Sequence, residues 1–295
     1  MAIGSYALYR CAVLSTSTGS LDSVLDRNSP IQILRLTVNT GDQSYTDGLD
    51  LKPERFYEWM EAHPDIMPTT QPPSPESLRN TFQYLQAQGY HEAIVTTLSG
   101  RVSQTTERIR QIAAEMAGQL TIHVVDTGLV CMPEGFFALE AVRLLQEGKE
   151  PAAVVDYLER LKLKGEIVCG LMSLKQLVGS GGLGRVDGMI GDWLGLKPVF
   201  RFSNSELTRI AIATDEESLL DATVDAVAER INGRDPAGLI LAGMYGGNIE
   251  LYRQFARKLH NKTGLHLQGI PISPVMGAYI GSNAVGVGII ERLPE

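Results

Sequence analysis

The chain has 295 residues, which is long enough for two domains that each bury a core. Hydrophobic residues make up 44% and charged residues 20%, as in ordinary globular proteins, and no apolar run approaches the roughly 20 residues that a membrane-spanning helix needs. The net charge of -8 comes without a basic stripe, which disfavours a nucleic acid as the partner.

The predicted elements of the first half alternate between strands and helices. An apolar strand at 11–14 runs into the polar turn 15–19, and a second apolar run spans 31–38. Further elements follow in order: a helix from Pro75 to the stop at Gly89, a strand at 93–95, a helix at 101–117, a strand at 120–125, a helix at 133–146, and a helix that begins at Pro151 and ends at Gly165. This alternation predicts a parallel sheet.

We expect a domain boundary at the end of that last helix, which divides the chain into 1–165 and 166–295. The second half contains a strand at 167–172, a glycine-rich stretch at 179–185, strands at 199–202 and 207–213 that pair as a hairpin, a helix at 216–231, a strand at 238–242 and a helix at 248–262. The prediction is therefore an α/β protein of two lobes, with an N-terminal Rossmann-like parallel-sheet domain and a C-terminal α/β domain.

Two hydroxyl-rich segments are the most informative feature. They are Thr69-Thr70-Gln71-Pro72 and Thr96-Thr97-Leu98-Ser99-Gly100, and one amphipathic helix separates them. A helix of that length reverses the chain, so we expect both segments to form turns at the same end of a sheet and to make an oxyanion-binding corner. The alternative is that these threonines only cap helices and form turns.

Other kinds of site have weaker support. Cys11, Cys131 and Cys169 lack metal-ligand spacing and are interpreted as buried free thiols, and the five histidines are scattered. The glycine-rich stretch lacks the Gly-Lys-Ser/Thr ending of a phosphate loop, and no nucleophile elbow surrounds Ser99. We therefore predict neither a metal nor a cofactor. The acidic segment 42–50 is interpreted as a solvated loop or a partner-facing one, and the first residues lack a secretory signal, which indicates a cytoplasmic protein.

Taken in order, these segments resemble the DegV family nearly from end to end. The motifs that carry the resemblance are Thr69-Thr70-Gln71-Pro72-Pro73-Ser74-Pro75, Thr96-Thr97-Leu98-Ser99-Gly100, Val124-Val125-Asp126-Thr127, Gly184-Arg185-Val186, Leu194-Gly195-Leu196-Lys197-Pro198 and the closing stretch from Pro274 to Asn283. Members of this family are fatty-acid-binding proteins that present acyl chains to a fatty acid kinase.

The resemblance implies a non-enzymatic carrier with an apolar tunnel between its lobes. The acyl tail would lie in the tunnel, and hydroxyl groups at the mouth would hold the carboxylate. The ligand-binding residues implied are Thr69, Thr70, Thr96, Thr97, Ser99, Gly100, Arg185 and Tyr279. For Arg185 an interdomain salt bridge is the alternative.

The chain departs from the family pattern at the head-group positions. Thr16-Ser17-Thr18-Gly19-Ser20 stands where the family often has Asp-Ser-Thr-x-Asp, so both acids are absent. Arg101 replaces the usual threonine after Ser-Gly, and Tyr279 stands in for the closing histidine. Two alternatives stay open: lipid binding without a kinase partner, and an enzyme that acts on a small acyl or phosphorylated substrate at the same cleft.

Overall fold

The computed structural model describes residues 10–26, 28–181 and 195–293. Its strands are β1 (Cys11–Thr16), β2 (Ile31–Leu34), β3 (Thr37–Thr40), β4 (Gln43–Thr46), β5 (Thr69–Gln71), β6 (Glu92–Thr97), β7 (Thr121–Asp126), β8 (Gly165–Leu171), β9 (Lys197–Ser203), β10 (Glu206–Ala213), β11 (Leu239–Gly247), β12 (Gly269–Pro271) and β13 (Asn283–Glu291). Its helices are α1 (Pro53–Ala62), α2 (Pro75–Ala87), α3 (Thr105–Glu115), α4 (Cys131–Gln146), α5 (Pro151–Leu161), α6 (Lys175–Gly179), α7 (Glu216–Ile231), α8 (Ile249–Thr263) and α9 (Pro274–Ile280).

The first half forms a four-stranded sheet in the order β2-β1-β6-β7, in which every neighbouring pair is parallel. This confirms the predicted parallel sheet. Helix α2 begins as predicted, because the Ser74 hydroxyl caps the Ser77 amide and Pro75 takes the first helical position. Its buried residues Leu78, Phe82 and Leu85 pack on one face of the sheet.

The second half forms a mixed six-stranded sheet in the order β10-β9-β8-β13-β11-β12. Strands β9 and β10 pair antiparallel, which confirms the predicted hairpin, whereas β11 and β12 pair in parallel. Helices α7 and α8 cover the outer face of this sheet. The opposite face of this sheet, called the inner face below, is therefore directed toward the first half of the chain.

Helix α4 lies between the two sheets and contacts β1 and β6 on one side and β8, β11 and β13 on the other. It is apolar around most of its circumference, as expected of a helix buried on several sides, and Phe137 at its centre is fully buried. One apolar core is therefore continuous from the parallel sheet through α4 to the inner face of the six-stranded sheet.

A small antiparallel sheet in the order β4-β3-β5 corrects several predictions. Thr69–Gln71 is a strand and not a turn, because it pairs with Thr37–Thr40 of this small sheet. The predicted single run at 31–38 is divided between two sheets, β2 in one and β3 in the other. The predicted loop at 42–50 contains the strand Gln43–Thr46.

The helix Pro53–Ala62 has no counterpart among the predicted elements, and α3 begins at Thr105 where the sequence predicts a start at 101. Strands before residue 165 form the parallel and the small sheet, and strands from Gly165 onward form the six-stranded sheet. The division into domains at that point stays a prediction. Within the described ranges, no helix combines the length and the apolar character needed to cross a bilayer.

Candidate functional site

A pair of hydroxyl groups lies where β1 and β6 end, on the face that α4 covers. Ser15 and Thr96 are directly paired in the parallel register, and the Thr96 hydroxyl donates a hydrogen bond to Ser15 Oγ at 3.2 Å and to the Leu14 carbonyl at 3.4 Å. Both side chains are fully buried. Alternate strand residues share a face, so Ser15 and Thr96 lie on the side of Val13 and Ile94, which contribute to the core around α4.

Thr97 lies on the opposite face of the same strand. Its hydroxyl pairs with the Thr106 hydroxyl of α3 at 2.9 Å, and the Thr106 hydroxyl also donates to the Leu98 carbonyl at 3.0 Å. These contacts fix the entry into α3. The structure thus separates Thr96 from Thr97, as adjacent residues of a strand must be, and Thr97 contacts the first turn of α3 instead of Ser15.

The other two threonines lie on β5, in the small antiparallel sheet. The Thr70 hydroxyl is 2.8 Å from the Tyr279 hydroxyl of α9, and both residues are partly buried. Thr69 is exposed, and its hydroxyl accepts a hydrogen bond from the side-chain amide of Asn39 at 3.3 Å. The structure therefore joins Thr70 with Tyr279 and directs Thr69 elsewhere.

Asp126, at the end of β7, fixes the Ser99-Gly100 loop. Its Oδ2 accepts a hydrogen bond from the Gly100 amide at 3.1 Å, and its Oδ1 accepts one from the Gly128 amide at 2.9 Å. A Cβ atom on Gly100 would lie 2.8 Å from Asp126 Oδ2, so a larger residue here would displace this carboxylate. The Ser99 side chain is fully buried and accepts a hydrogen bond from the Arg101 amide at 3.3 Å.

The turn that follows β1 is buried from end to end and contacts Glu134 of α4. Glu134 accepts hydrogen bonds from the hydroxyls of Thr16 and Thr18, the latter 2.8 and 2.7 Å from its two carboxyl oxygens. This turn lacks the acids that the family pattern has there, and the adjacent acidic group comes instead from α4. Sequence reasoning missed Glu134; the signal was an acid within the apolar first half of a mostly apolar helix.

Ser20 connects this turn to α9. Its hydroxyl accepts a hydrogen bond from the Ser273 amide at 3.1 Å, and Ser273 in turn caps α9 through the Met276 amide. Because Tyr279 is on α9, the same helix contacts the buried turn at its start and Thr70 near its end. The buried turn, α4 and α9 therefore enclose one polar region beside the core.

Asp47 is also part of this region and is fully buried, so the interpretation of 42–50 as a solvated loop is wrong at this position. Its Oδ1 accepts a hydrogen bond from the Val275 amide at 3.4 Å, whereas its Oδ2 has no partner in the described part of the chain. Burial raises the pKa of Asp47 to about 7, although a bond from Ser17 and the charge of Arg35 oppose the rise. Arg35 itself pairs with Asp22 at 2.8 Å.

An apolar strip is formed by Cys169 of β8 and Leu207 of β10, both in the six-stranded sheet, and by Ile280 at the end of α9. Cys169, Leu207 and Ile280 are partly buried, and each packs against both the core around α4 and a second cluster that contains Phe200. Cys169 is a free thiol, and burial raises its pKa to about 12, so it is uncharged near neutral pH. The strip offers apolar surface that the protein interior does not fully cover.

Two predicted features need separate mention. Arg185 and most of the glycine-rich stretch lie outside the described residues. Among the residues that are described, no group of three or more His, Cys, Asp or Glu side chains could hold a metal ion.

The amino-acid sequence of this chain matches a protein family and its members over nearly its whole length. A family model described as "Uncharacterised protein, DegV family COG1307" matches residues 10–292. A DegV domain-containing protein of Staphylococcus aureus (strain N315) is 28% identical over 294 residues, covering 96% of this chain and 98% of the relative.

Solved structures agree with this match over nearly the whole chain. A stearic acid-binding protein from Eubacterium ventriosum superimposes with a TM-score of 0.85 at 21% identity, covering 95% of this chain and 98% of that one. DegV, a fatty acid binding protein from Bacillus subtilis, gives a TM-score of 0.84 at 21% identity, covering 96% and 99%. At this identity the likeness establishes the fold.

Proposed function

Because the chain belongs to the DegV family, we propose that it binds a long-chain fatty acid or a related acyl lipid, as a carrier and not as an enzyme. The observation that carries the proposal is the end-to-end fold match with proteins described as fatty-acid-binding. The proposed ligand has an apolar tail and a small anionic head, and this chain has a suitable surface for each.

The Ser15-Thr96 pair and the Thr70-Tyr279 pair are the proposed contacts for the carboxylate. Hydroxyl groups donate hydrogen bonds to a carboxylate, and such charge-assisted bonds offset its desolvation. The two pairs are on different elements, and Ser20 of the buried turn after β1 accepts a hydrogen bond from Ser273 at the start of α9, the helix that carries Tyr279.

The apolar strip of Cys169, Leu207 and Ile280 is the proposed start of the path for the acyl tail. Each buried methylene contributes about 0.8 kcal/mol, so a long chain gains roughly 10 kcal/mol before the costs of ordering are subtracted. The tail therefore supplies most of the affinity, and the hydroxyl groups fix the position of the head.

Native mass spectrometry of protein purified gently from cells tests the proposal first. We expect a bound mass that matches a long-chain fatty acid. The protein should then be stripped of lipid and titrated with stearic acid, and Thr96→Val should weaken binding about fivefold or more, because it removes one hydroxyl donor and keeps the shape of the side chain.

Thr121→Val is the matched control, since Thr121 is exposed and lies at the opposite end of the same sheet. Its affinity should equal that of the unmodified protein. An empty protein that also ignores added stearic acid, at concentrations that saturate a known fatty-acid-binding protein, would contradict the proposal.

The family resemblance extends the proposal to a fatty acid kinase that receives the bound chain. Incubating the loaded protein with such a kinase and labelled ATP should transfer label to the lipid, and the free fatty acid serves as the comparison. The alternative of an enzyme at the cleft rested on Arg185, Tyr279 and the glycine-rich stretch. Of these, Tyr279 contacts Thr70 and is proposed here to bind the carboxylate, and Arg185 lies outside the described residues.

A further inference from the structure

Glu134 carries a carboxyl group whose hydrogen-bond partners, among the residues that the structure describes, are all hydroxyl groups. It is fully buried, and its oxygens contact the hydroxyls of Thr16 and Thr18. Across the described ranges, no lysine, arginine or histidine forms an ion pair with it. A buried carboxylate without a cation is costly, so this environment favours the protonated, neutral form.

The charged groups that reach Glu134 reinforce that preference. Asp47 and Asp126 both raise its pKa, and burial contributes the largest effect, so the pKa of Glu134 rises to about 8 despite the hydrogen bonds from Thr16 and Thr18. On its own helix, Cys131 has a pKa raised well above the ordinary value and stays uncharged. With a pKa of about 8, Glu134 is mostly protonated at pH 7, and its negative charge increases as the pH rises through 8.

Glu134 also lies close to the hydroxyl pair at the strand ends. Gly19 lies next to both: a Cβ atom on Gly19 would lie 2.9 Å from the Cα of Gly135 and 3.4 Å from Ser15 Oγ. The residue after Glu134 and the hydroxyl of Ser15 are therefore neighbours of the same glycine. A negative charge on Glu134 acts at short range, inside the protein, on any anion held by Ser15 and Thr96.

We propose that Glu134 limits the head-group charge that the site accepts, so that a singly charged carboxylate binds only while Glu134 is neutral. This inference rests on the proposed function, because it assigns a specificity-determining residue to the same fatty-acid site. The negative charge of Glu134 repels a doubly charged head group more strongly than a singly charged one, and it does not repel a neutral head group.

Three ligands with the same 18-carbon chain isolate the effect of head-group charge: octadecanol, stearic acid and octadecyl phosphate. Their dissociation constants are measured at intervals from pH 6.5 to 9.5 with the unmodified protein and with Glu134→Gln. Above pH 8 we expect the affinity of the unmodified protein for stearic acid to fall about tenfold per pH unit, as one linked proton requires. An ordinary carboxyl titrates near pH 4, so stearic acid itself stays ionised throughout.

The variant and the neutral ligand provide the comparisons. Glu134→Gln keeps the shape of the side chain and has no carboxyl, so its affinity for stearic acid should not change across this range. Octadecanol should bind equally at every pH to both proteins. Octadecyl phosphate should bind more weakly than stearic acid to the unmodified protein, and Glu134→Gln should narrow that difference above pH 8.

Asp47→Asn separates Glu134 from the other buried acid. Because the charge of Asp47 raises the pKa of Glu134, this variant should keep the loss of stearic acid affinity and move it to lower pH. Elimination of the pH dependence by Asp47→Asn alone would assign the effect to Asp47 and overturn the inference.

Equal pH dependence for stearic acid and octadecanol in the unmodified protein would overturn the inference and leave the proposed function standing. This comparison needs no variant and holds even if Glu134→Gln does not fold. Failure of stearic acid and octadecanol to bind at pH 6.5 would overturn the proposed function and the inference together.

Discussion

Replacing Glu134 by glutamine should change how the free energy of unfolding depends on pH. In the folded protein burial raises the pKa of Glu134 from 4.5 to about 8, whereas in the unfolded chain the group titrates at its ordinary value. Between these two values the folded state holds a proton that the unfolded state has lost. Stability from this group is therefore complete below about pH 4.5 and is lost as the pH rises through 8.

The size of the effect follows from the difference between the two pKa values. One unit corresponds to about 1.4 kcal/mol, so a rise from 4.5 to about 8 amounts to roughly 4 to 5 kcal/mol as an upper value. Glutamine does not titrate, so the variant does not lose this stability as the pH rises. The free energy of unfolding of Glu134→Gln, relative to the unmodified protein, should therefore rise by several kcal/mol between pH 5 and pH 8.

Urea unfolding followed by circular dichroism at pH 5, 6.5 and 8 measures the difference. Glu76→Gln is the matched control, since Glu76 also lies in the first turn of a helix but is exposed. The free energy of unfolding of Glu76→Gln, relative to the unmodified protein, should stay constant across these pH values to within about 0.5 kcal/mol. A constant difference for Glu134→Gln as well would refute the claim that a buried, protonated carboxyl occupies this position.

Further substitutions test the packing and the site. Gly135→Ala should destabilise the fold by about 1 to 3 kcal/mol, because its Cβ would lie 2.5 Å from the Gly19 carbonyl oxygen, whereas Gly238→Ala, with open space around it, should be neutral in the same urea assay. Phe137→Ala should cost about 3 to 5 kcal/mol in the buried core, and Leu163→Ala, which is 67% exposed, less than about 0.5 kcal/mol. Tyr279→Phe removes the hydroxyl that contacts Thr70 and should weaken stearic acid binding about fivefold in a fluorescence titration. Unchanged affinity would exclude this pair from the head-group site.

The regular elements were predictable because their signals are local. Ser74 and Pro75 specify the start of α2 by themselves, and the apolar residues of α4 indicate a helix buried on several sides. Parallel order follows from the alternation of strands with helices. These features need no knowledge of which distant residues meet.

The small sheet and the polar region could not be predicted in this way. Thr69–Gln71 is short and polar, and it becomes a strand only because Thr37–Thr40 lies beside it. Asp47 is buried by contact with Val275, which lies far along the chain. Such contacts depend on the folded arrangement of several elements, and no local pattern encodes them.

The predicted site residues stay a prediction, and the structure groups them differently from the sequence expectation. The Thr70 and Tyr279 hydroxyls lie together, whereas Thr97 is separated from Thr96 because adjacent residues of a strand point to opposite faces. Ser15 and Glu134 were not predicted. Ser15 meets Thr96 through the pairing of two strands, and Glu134 meets Thr18 through the packing of a helix on a turn, and neither contact is visible in the local sequence.

A crystal structure of the protein with stearic acid would test the proposed lipid site most directly. We expect the carboxylate within hydrogen-bond distance of the Ser15 and Thr96 hydroxyls, and the tail along Cys169, Leu207 and Ile280. A tail bound elsewhere, or an interior that stays closed in crystals grown with saturating stearic acid, would contradict it.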